Sequence, residues 1–114
     1  MQIKSETYEE VMALFGDPEF DAPDRAARFL KSLAHRDRLK TLCSLVDQEL
    51  SVAQIELQVG ASQSSVSQHL ARLKEEGILS SRRDGRKILY KISDPLVLKL
   101  VALLYERFCA EEVN

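Results

Sequence analysis

Apolar residues recur along this chain with two different periods, and the change of period divides it. Tyr8, Val11, Met12 and Phe15 fall at i, i+3, i+4 and i+7, which is one apolar face of a helix. Residues 16–24 follow with two Pro and four acids and read as a linker. Ala26, Leu30 and Leu33 mark a second helix, with Pro23 and Asp24 near its start. A third helix is predicted from about Asp37, with Leu39, Leu42, Cys43 and Val46 on one face. His35 stands between the second and third helices, next to Arg36, and reads as a cap or turn residue.

The signal sharpens over residues 51–76. Ser51-Val-Ala-Gln54 has the form of a capping box, a Ser cap with Gln three residues on. The helix it opens ends near Val59-Gly60, where glycine suits the left-handed position after a helix. Ser62 caps the next helix, whose core face is Val66, Leu70 and Leu73, and which ends near Gly77. Two helices joined by a tight glycine-containing turn make a helix-turn-helix pattern. The period then falls to two. Ile88, Tyr90 and Ile92 alternate with Leu89 and Lys91, as in a strand, and Leu79–Arg82 can pair with it across Asp84-Gly85. From Pro95 to Glu111 the chain reads as helical again. Its apolar positions, Leu96, Val97, Leu100, Val101, Leu104, Tyr105 and Phe108, make a stripe too wide for one contact, so the helix is expected to meet its own domain and another chain. The predicted fold is mainly α with a small β-hairpin. It is a single winged helix-turn-helix domain over 1–114, with an acidic helix and linker at 1–24, a wing at 79–92 and a last helix at 95–111 that has a face to spare for another chain.

Composition narrows the class. The chain has 114 residues, 45% of them apolar and 30% charged, enough for one core and inconsistent with disorder. No apolar run approaches a membrane span, the first residues are polar and acidic, and there are two cysteines. The expectation is a cytoplasmic protein with reduced thiols. The formal charge of −2 conceals a division: residues 1–24 carry −6, residues 25–92 carry +6, and residues 93–114 carry −2. Positive charge is densest from Arg82 to Lys91, and a local basic stripe governs phosphate binding more than the charge of the whole chain.

Within that basic stretch, Gly60 to Lys74 contains no acid. Gln63, Ser64, Ser67, Gln68 and Arg72 lie off the core face of the second helix of the pair. Glutamine pairs with adenine, arginine with guanine or phosphate, and serine with either bases or phosphates. His69, at the edge of the apolar face, is either a phosphate contact or a structural histidine. Arg82, Arg83, Arg86 and Lys87 flank the hairpin tip and would reach the DNA backbone or the minor groove. An enzyme built on Cys43 with His35 or His69 lacks an orienting third group, a phosphate loop and a cofactor motif, so none of these chemistries is expected. A winged helix used only for protein contacts would not need the basic wing or the polar face.

These residues resemble the ArsR/SmtB family of small winged-helix repressors, from about Arg25 to Cys109. The resemblance rests on Leu33-Ala-His-Arg-Asp-Arg-Leu39, Glu49-Leu-Ser-Val52, Ser62-Gln-Ser-Ser-Val-Ser-Gln-His-Leu-Ala-Arg-Leu73, Glu76-Gly-Ile-Leu79, and the hairpin from Arg83 to Tyr90. It implies a homodimer that binds double-stranded operator DNA and releases it on meeting an inducer. Metal-sensing members use a Cys-x-Cys pair where this chain has Ser51 and Ala53, or imidazoles where it has Leu96 and Arg107, although Asp94 remains. Two His and two Cys, scattered in sequence, do not carry over a metal site, so no metal is expected.

Cys43 and Cys109 are either packing residues or a redox pair distant in sequence. Their arrangement resembles the SqrR/BigR-like branch of the family, which senses persulfides and polysulfides through one cysteine on an early helix and one on the last. Regulators of the HlyU type are similar there. The resemblance implies that reactive sulfur species join Cys43 to Cys109 and lower operator affinity. The alternative is a general thiol-redox regulator, or an HlyU-like one, without a sulfur-specific inducer. Thiolate reactivity would call for a lowered pKa, with Arg38, Lys40 and Arg107 as the nearby cations.

Overall fold

The computed structural model describes residues 8–109. Over them run α1 (Tyr8–Leu14), α2 (Ala22–Leu33), α3 (Arg36–Ser44), β1 (Leu50–Ser51), α4 (Val52–Val59), α5 (Gln63–Glu75), β2 (Leu79–Asp84), β3 (Lys87–Ile92) and α6 (Pro95–Leu104). A π-helical turn, Tyr105–Cys109, continues α6. The last predicted helical positions, Ala110 and Glu111, and the first seven residues lie outside the described part. The described chain falls into two compact units that divide between Ser32 and Leu33. The sequence reads as one domain, and the winged helix lies wholly within the second unit.

In the first unit no residue of α1 is buried, so its predicted apolar face is not covered within this unit. Phe15 and Phe20 stack across the turn that follows, with ring centroids 5.8 Å apart. Asp21 and Arg25 pair at 3.0 Å at the start of α2.

The second unit is assembled from helices whose ends are specified by side chains. His35 caps α3, its Nδ1 accepting the Asp37 N–H at 3.2 Å. Ser51 and Gln54 form the predicted reciprocal box, in which Ser51 Oγ accepts from the Gln54 N–H and Gln54 Oε1 accepts from the Ser51 N–H. Gly60 then takes φ +73°, the left-handed conformation that lets the chain turn at once toward Ser62, whose Oγ accepts the Ser65 N–H and opens α5. Asp94 caps α6 through the Leu96 N–H, with Pro95 in the first turn, where its missing donor costs nothing.

The core is the shared interior of α3, α4, α5, α6 and the strands. Leu42, Leu45, Ile55, Val66, Leu70, Leu73, Ile78, Val97 and Val101 are all essentially inaccessible. On α5 the buried set is the predicted one, Val66, Leu70 and Leu73. On α3 it is not. Thr41, Leu42 and Ser44 are buried, while Leu39, Cys43 and Val46 are only half-buried. Hydroxyl groups can go inside here because each bonds back to its own helix: Thr41 Oγ1 donates to the Asp37 carbonyl and Ser44 Oγ to the Thr41 carbonyl.

The sheet has order β1-β3-β2 and is antiparallel throughout. Leu79 pairs with Ile92 and Asp84 with Lys87, so the wing closes on the two-residue turn Gly85-Arg86, with Gly85 at φ +64°. The sequence reading had the hairpin but not β1, whose two residues pair Leu50 with Tyr90 and Ser51 with Leu89. A strand that short leaves no period to detect. No described helix is long and apolar enough to cross a membrane.

Leu42 should be indispensable and Leu57, 86% exposed on α4, dispensable. Leu42→Ala is expected to cost about 3 kcal/mol in urea unfolding, and Leu57→Ala close to nothing.

Candidate functional site

Burying Val66, Leu70 and Leu73 turns the opposite side of α5 outward. Gln63, Ser64, Ser67, Gln68 and Arg72 are all exposed there. Arg72 also holds Glu76 one turn on, Nε to Oε1 at 3.2 Å, an exposed pair that a phosphate can replace. His69 points elsewhere. It is half-buried against His35, ring centroids 4.8 Å apart, and so sits at the contact of α5 with the start of α3. Burial and the nearby charges of His35 and Arg38 push its pKa below the ordinary histidine value, against the opposing pull of Asp37. The two histidines, scattered in sequence, are neighbours in the fold.

The wing divides its cations. Arg83, Arg86 and Lys87 are exposed at its tip. Arg82 is held in a two-pronged pair with Glu49, Nε to Oε2 at 2.8 Å and Nη2 to Oε1 at 3.1 Å. This contact spans β3 and ties β2 to the residue just before β1. The hydrogen bond from Arg82 holds the Glu49 carboxyl below its ordinary pKa, and Glu49 in turn raises that of Arg82. Lys74 Nζ donates to Ser81 Oγ at 2.7 Å and so joins the end of α5 to the base of the wing. Neither Glu49 nor Lys74 has a role that the sequence predicts. Each lies far along the chain from its partner or on a different element, and no spacing rule links them.

The two cysteines share a cavity. Cys43 on α3 and Cys109 in the π turn line one mainly apolar cavity of about 580 Å³, walled by Leu39, Leu104, Tyr105 and Phe108, with Arg36 and Lys40 also on its lining. Both thiols are free and half-buried. The Cys43 thiol is raised above its ordinary pKa, chiefly by burial and then by the negative charge Cys109 would carry. The expected lowering by cations is therefore not realised at Cys43. Of the cations considered from sequence, Arg38 acts on His69, and Arg107 stands over the Phe108 ring, 5.1 Å from its centre. Lys40 does line the cavity, and Arg36, not singled out, joins it.

The family model described as bacterial regulatory protein, arsR family, matches residues 35–81. The Biofilm growth-associated repressor of Xylella fastidiosa is 40% identical over 89 residues, covering 78% of each chain. The solved structure of the transcriptional repressor BigR from Xylella fastidiosa superposes with a TM-score of 0.70 at 39% identity, over 82% of this chain and 95% of that one. Reduced HlyU from Vibrio cholerae superposes with a TM-score of 0.72 at 36% identity, over 76% of this chain and 92% of that one.

Two outcomes test these electrostatics. Alkylation of Cys43 by iodoacetamide, followed by peptide mass, should accelerate only as pH rises past the ordinary thiol range. In Cys109→Ser that profile should move part of the way to lower pH, because the smaller cause is removed and burial remains. At the wing, the depressed Glu49 carboxyl stabilises the fold above about pH 4.3, the unfolded value, and the effect fades as pH falls through the folded value. Glu49→Gln should thus melt slightly below the native chain at neutral pH and level with it in acid.

Proposed function

The chain belongs to the arsR family of bacterial regulatory proteins, and from that membership we propose that it is a homodimeric repressor. In this reading it binds operator DNA and lets go when reactive sulfur species join Cys43 to Cys109. The observation that carries the sensing half is the meeting of two thiols 66 positions apart on one cavity, near enough for charge on one to be felt by the other.

The chemistry balances without a metal or a second protein. One thiolate attacks the outer sulfur of a persulfide or polysulfide, takes that sulfur, and releases the remaining chain as a thiolate. The other thiolate then attacks the sulfur attached to the first cysteine and expels hydrosulfide, leaving a disulfide. Attack one sulfur further along a longer chain leaves the extra sulfur in the bridge. The added sulfur compound is the oxidant, and both cysteines are oxidised. Apolar walls suit sulfane sulfur, and Arg36 and Lys40 favour an anionic reagent. The bridge closes a loop of 67 residues, worth about 4 kcal/mol by chain entropy alone.

DNA reading falls to the exposed side of α5 and the tip of the wing: Gln63, Ser64, Ser67, Gln68 and Arg72, with Arg83, Arg86 and Lys87. Arg82 contributes only where DNA competes with Glu49. His69 faces α3 and is left out of the set. The dimer is supported by α6. Only Val97 and Val101 of that helix are buried in the core, and Leu96, Leu103 and, beyond it, Phe108 stay open, each about 60% exposed. A bridge that pins the end of this helix region to α3 shifts the population toward a dimer whose two recognition helices no longer match successive turns of the duplex.

The test pairs intact mass with fluorescence anisotropy on a duplex selected from random-sequence DNA. Polysulfide should consume both thiols, as a plain disulfide or one holding extra sulfur, and weaken binding. Cys43→Ser and Cys109→Ser should bind as the reduced native chain does and fail to release. Full release in either variant rejects the two-thiol mechanism. A plain disulfide formed equally well with peroxide makes the chain a general thiol-redox regulator instead.

A further inference from the structure

The contact between His35 and His69 is used by neither the DNA-reading surface nor the thiol cavity. It brings together more than two rings. Asp37 completes a group in which one donor atom from each residue lies within 4.8 Å of the others. His35 is exposed at the start of α3, and Asp37 and His69 are half-buried.

We propose that His35, Asp37 and His69 bind a divalent transition-metal ion of the zinc class and so link the start of α3 to α5. The proposal is independent of the sulfur reading. Two imidazoles and a carboxylate are a donor set that holds zinc with a fourth position open. No thiol takes part, and the site is distinct from the family positions occupied here by Ser51, Ala53, Leu96 and Arg107. Donors on one tetrahedral zinc ion lie about 2.0–2.2 Å from it and so about 3.4 Å from one another. From separations of up to 4.8 Å the three groups must therefore close by as much as about 1.4 Å, and His35, exposed at a helix end, has the freedom to supply most of it. The carboxylate of Asp37 offsets the opposing charge of Arg38, which acts on His69.

Coordination has a structural consequence at His35. Its Nδ1 lone pair now accepts the Asp37 N–H. A neutral imidazole has one nitrogen lone pair to offer. An ion bound at Nδ1 takes it directly. An ion bound at Nε2 requires the proton to sit on Nδ1, which turns the acceptor into a donor. Either way the metal replaces the cap, and the ion itself becomes what fixes the first turn of α3.

The test uses the full chain carrying Cys43→Ser and Cys109→Ser, so that thiols do not compete. Cobalt(II) reports coordination through its visible absorption, and zinc is measured by competition with a chromophoric chelator. One ion per chain is expected, bound at micromolar concentration. His69→Gln should weaken binding about tenfold or more. His35→Asn should do the same while keeping a side-chain cap for α3, so it decides the matter even if His69→Gln folds poorly. Circular dichroism confirms that the variants are folded. Affinity unchanged in His35→Asn, no uptake by the parent chain, or uptake only when the cysteines are restored overturns the proposal.

Discussion

Everything in the second unit depends on the burial of α3, a helix of nine residues with neighbours on several sides. Leu42 is wholly inaccessible, and Thr41 and Ser44 are drawn in with it because their hydroxyls bond to carbonyls of the same helix. Once that helix is fixed, its other positions have defined places. Cys43 lies on the cavity it shares with Cys109, and the capping His35 touches His69 on α5. The cavity proposed for thiol chemistry and the helix proposed to read DNA thus both rest on this one short helix. A close-packed interior transmits a displacement at one end rather than absorbing it.

The parts of this arrangement that were legible in sequence are those governed by local rules. The box of Ser51 and Gln54, the left-handed Gly60, the cap at Ser62 and the face Val66–Leu70–Leu73 each involve residues within a turn or two of one another. So does the hairpin, although the alternation read from Ile88 to Ile92 holds only at Tyr90, Lys91 and Ile92, since Ile88 toward the wing tip is exposed and Leu89 is half-buried. What sequence did not show depends on distance. The buried face of α3 is shifted because Thr and Ser satisfy themselves inside, which a count of apolar residues does not register. The two-residue β1 exists only because Tyr90 and Leu89 offer it a partner. The neighbourhood of His35 and His69, like the Glu49–Arg82 pair, belongs to the tertiary fold alone. The family resemblance pointed to Cys43 and Cys109 together where periodicity could not, and the structure corrects the expected electrostatics, since burial, with Cys109 behind it, raises the Cys43 thiol.

Charge is arranged to the same end. The acids of the first residues and the basic stretch that follows leave the chain nearly neutral overall. Within the basic part, some cations are already engaged: Arg82 by Glu49, Arg72 by Glu76, and Lys74 by Ser81. Of these, Lys74 to Ser81 links α5 to the wing, Arg82 to Glu49 fastens the wing to the residue just before β1, and Arg72 to Glu76 stays at the end of α5. In the proposed reading the exposed Arg83, Arg86 and Lys87 are presented from a braced support, which lowers the ordering cost of binding.

The π turn at Tyr105–Cys109 carries one residue more than the α-helical turn it replaces. Around a helix axis one residue corresponds to about 100°. The place of Cys109 on the cavity it shares with Cys43 is therefore a matter of chain length as much as of residue identity. Shortening this turn by one position would leave both thiols in the protein and carry one of them off the shared cavity. One insertion or deletion is then enough to unite or separate the two thiols, with every cysteine and every exposed side chain of α5 and the wing unchanged.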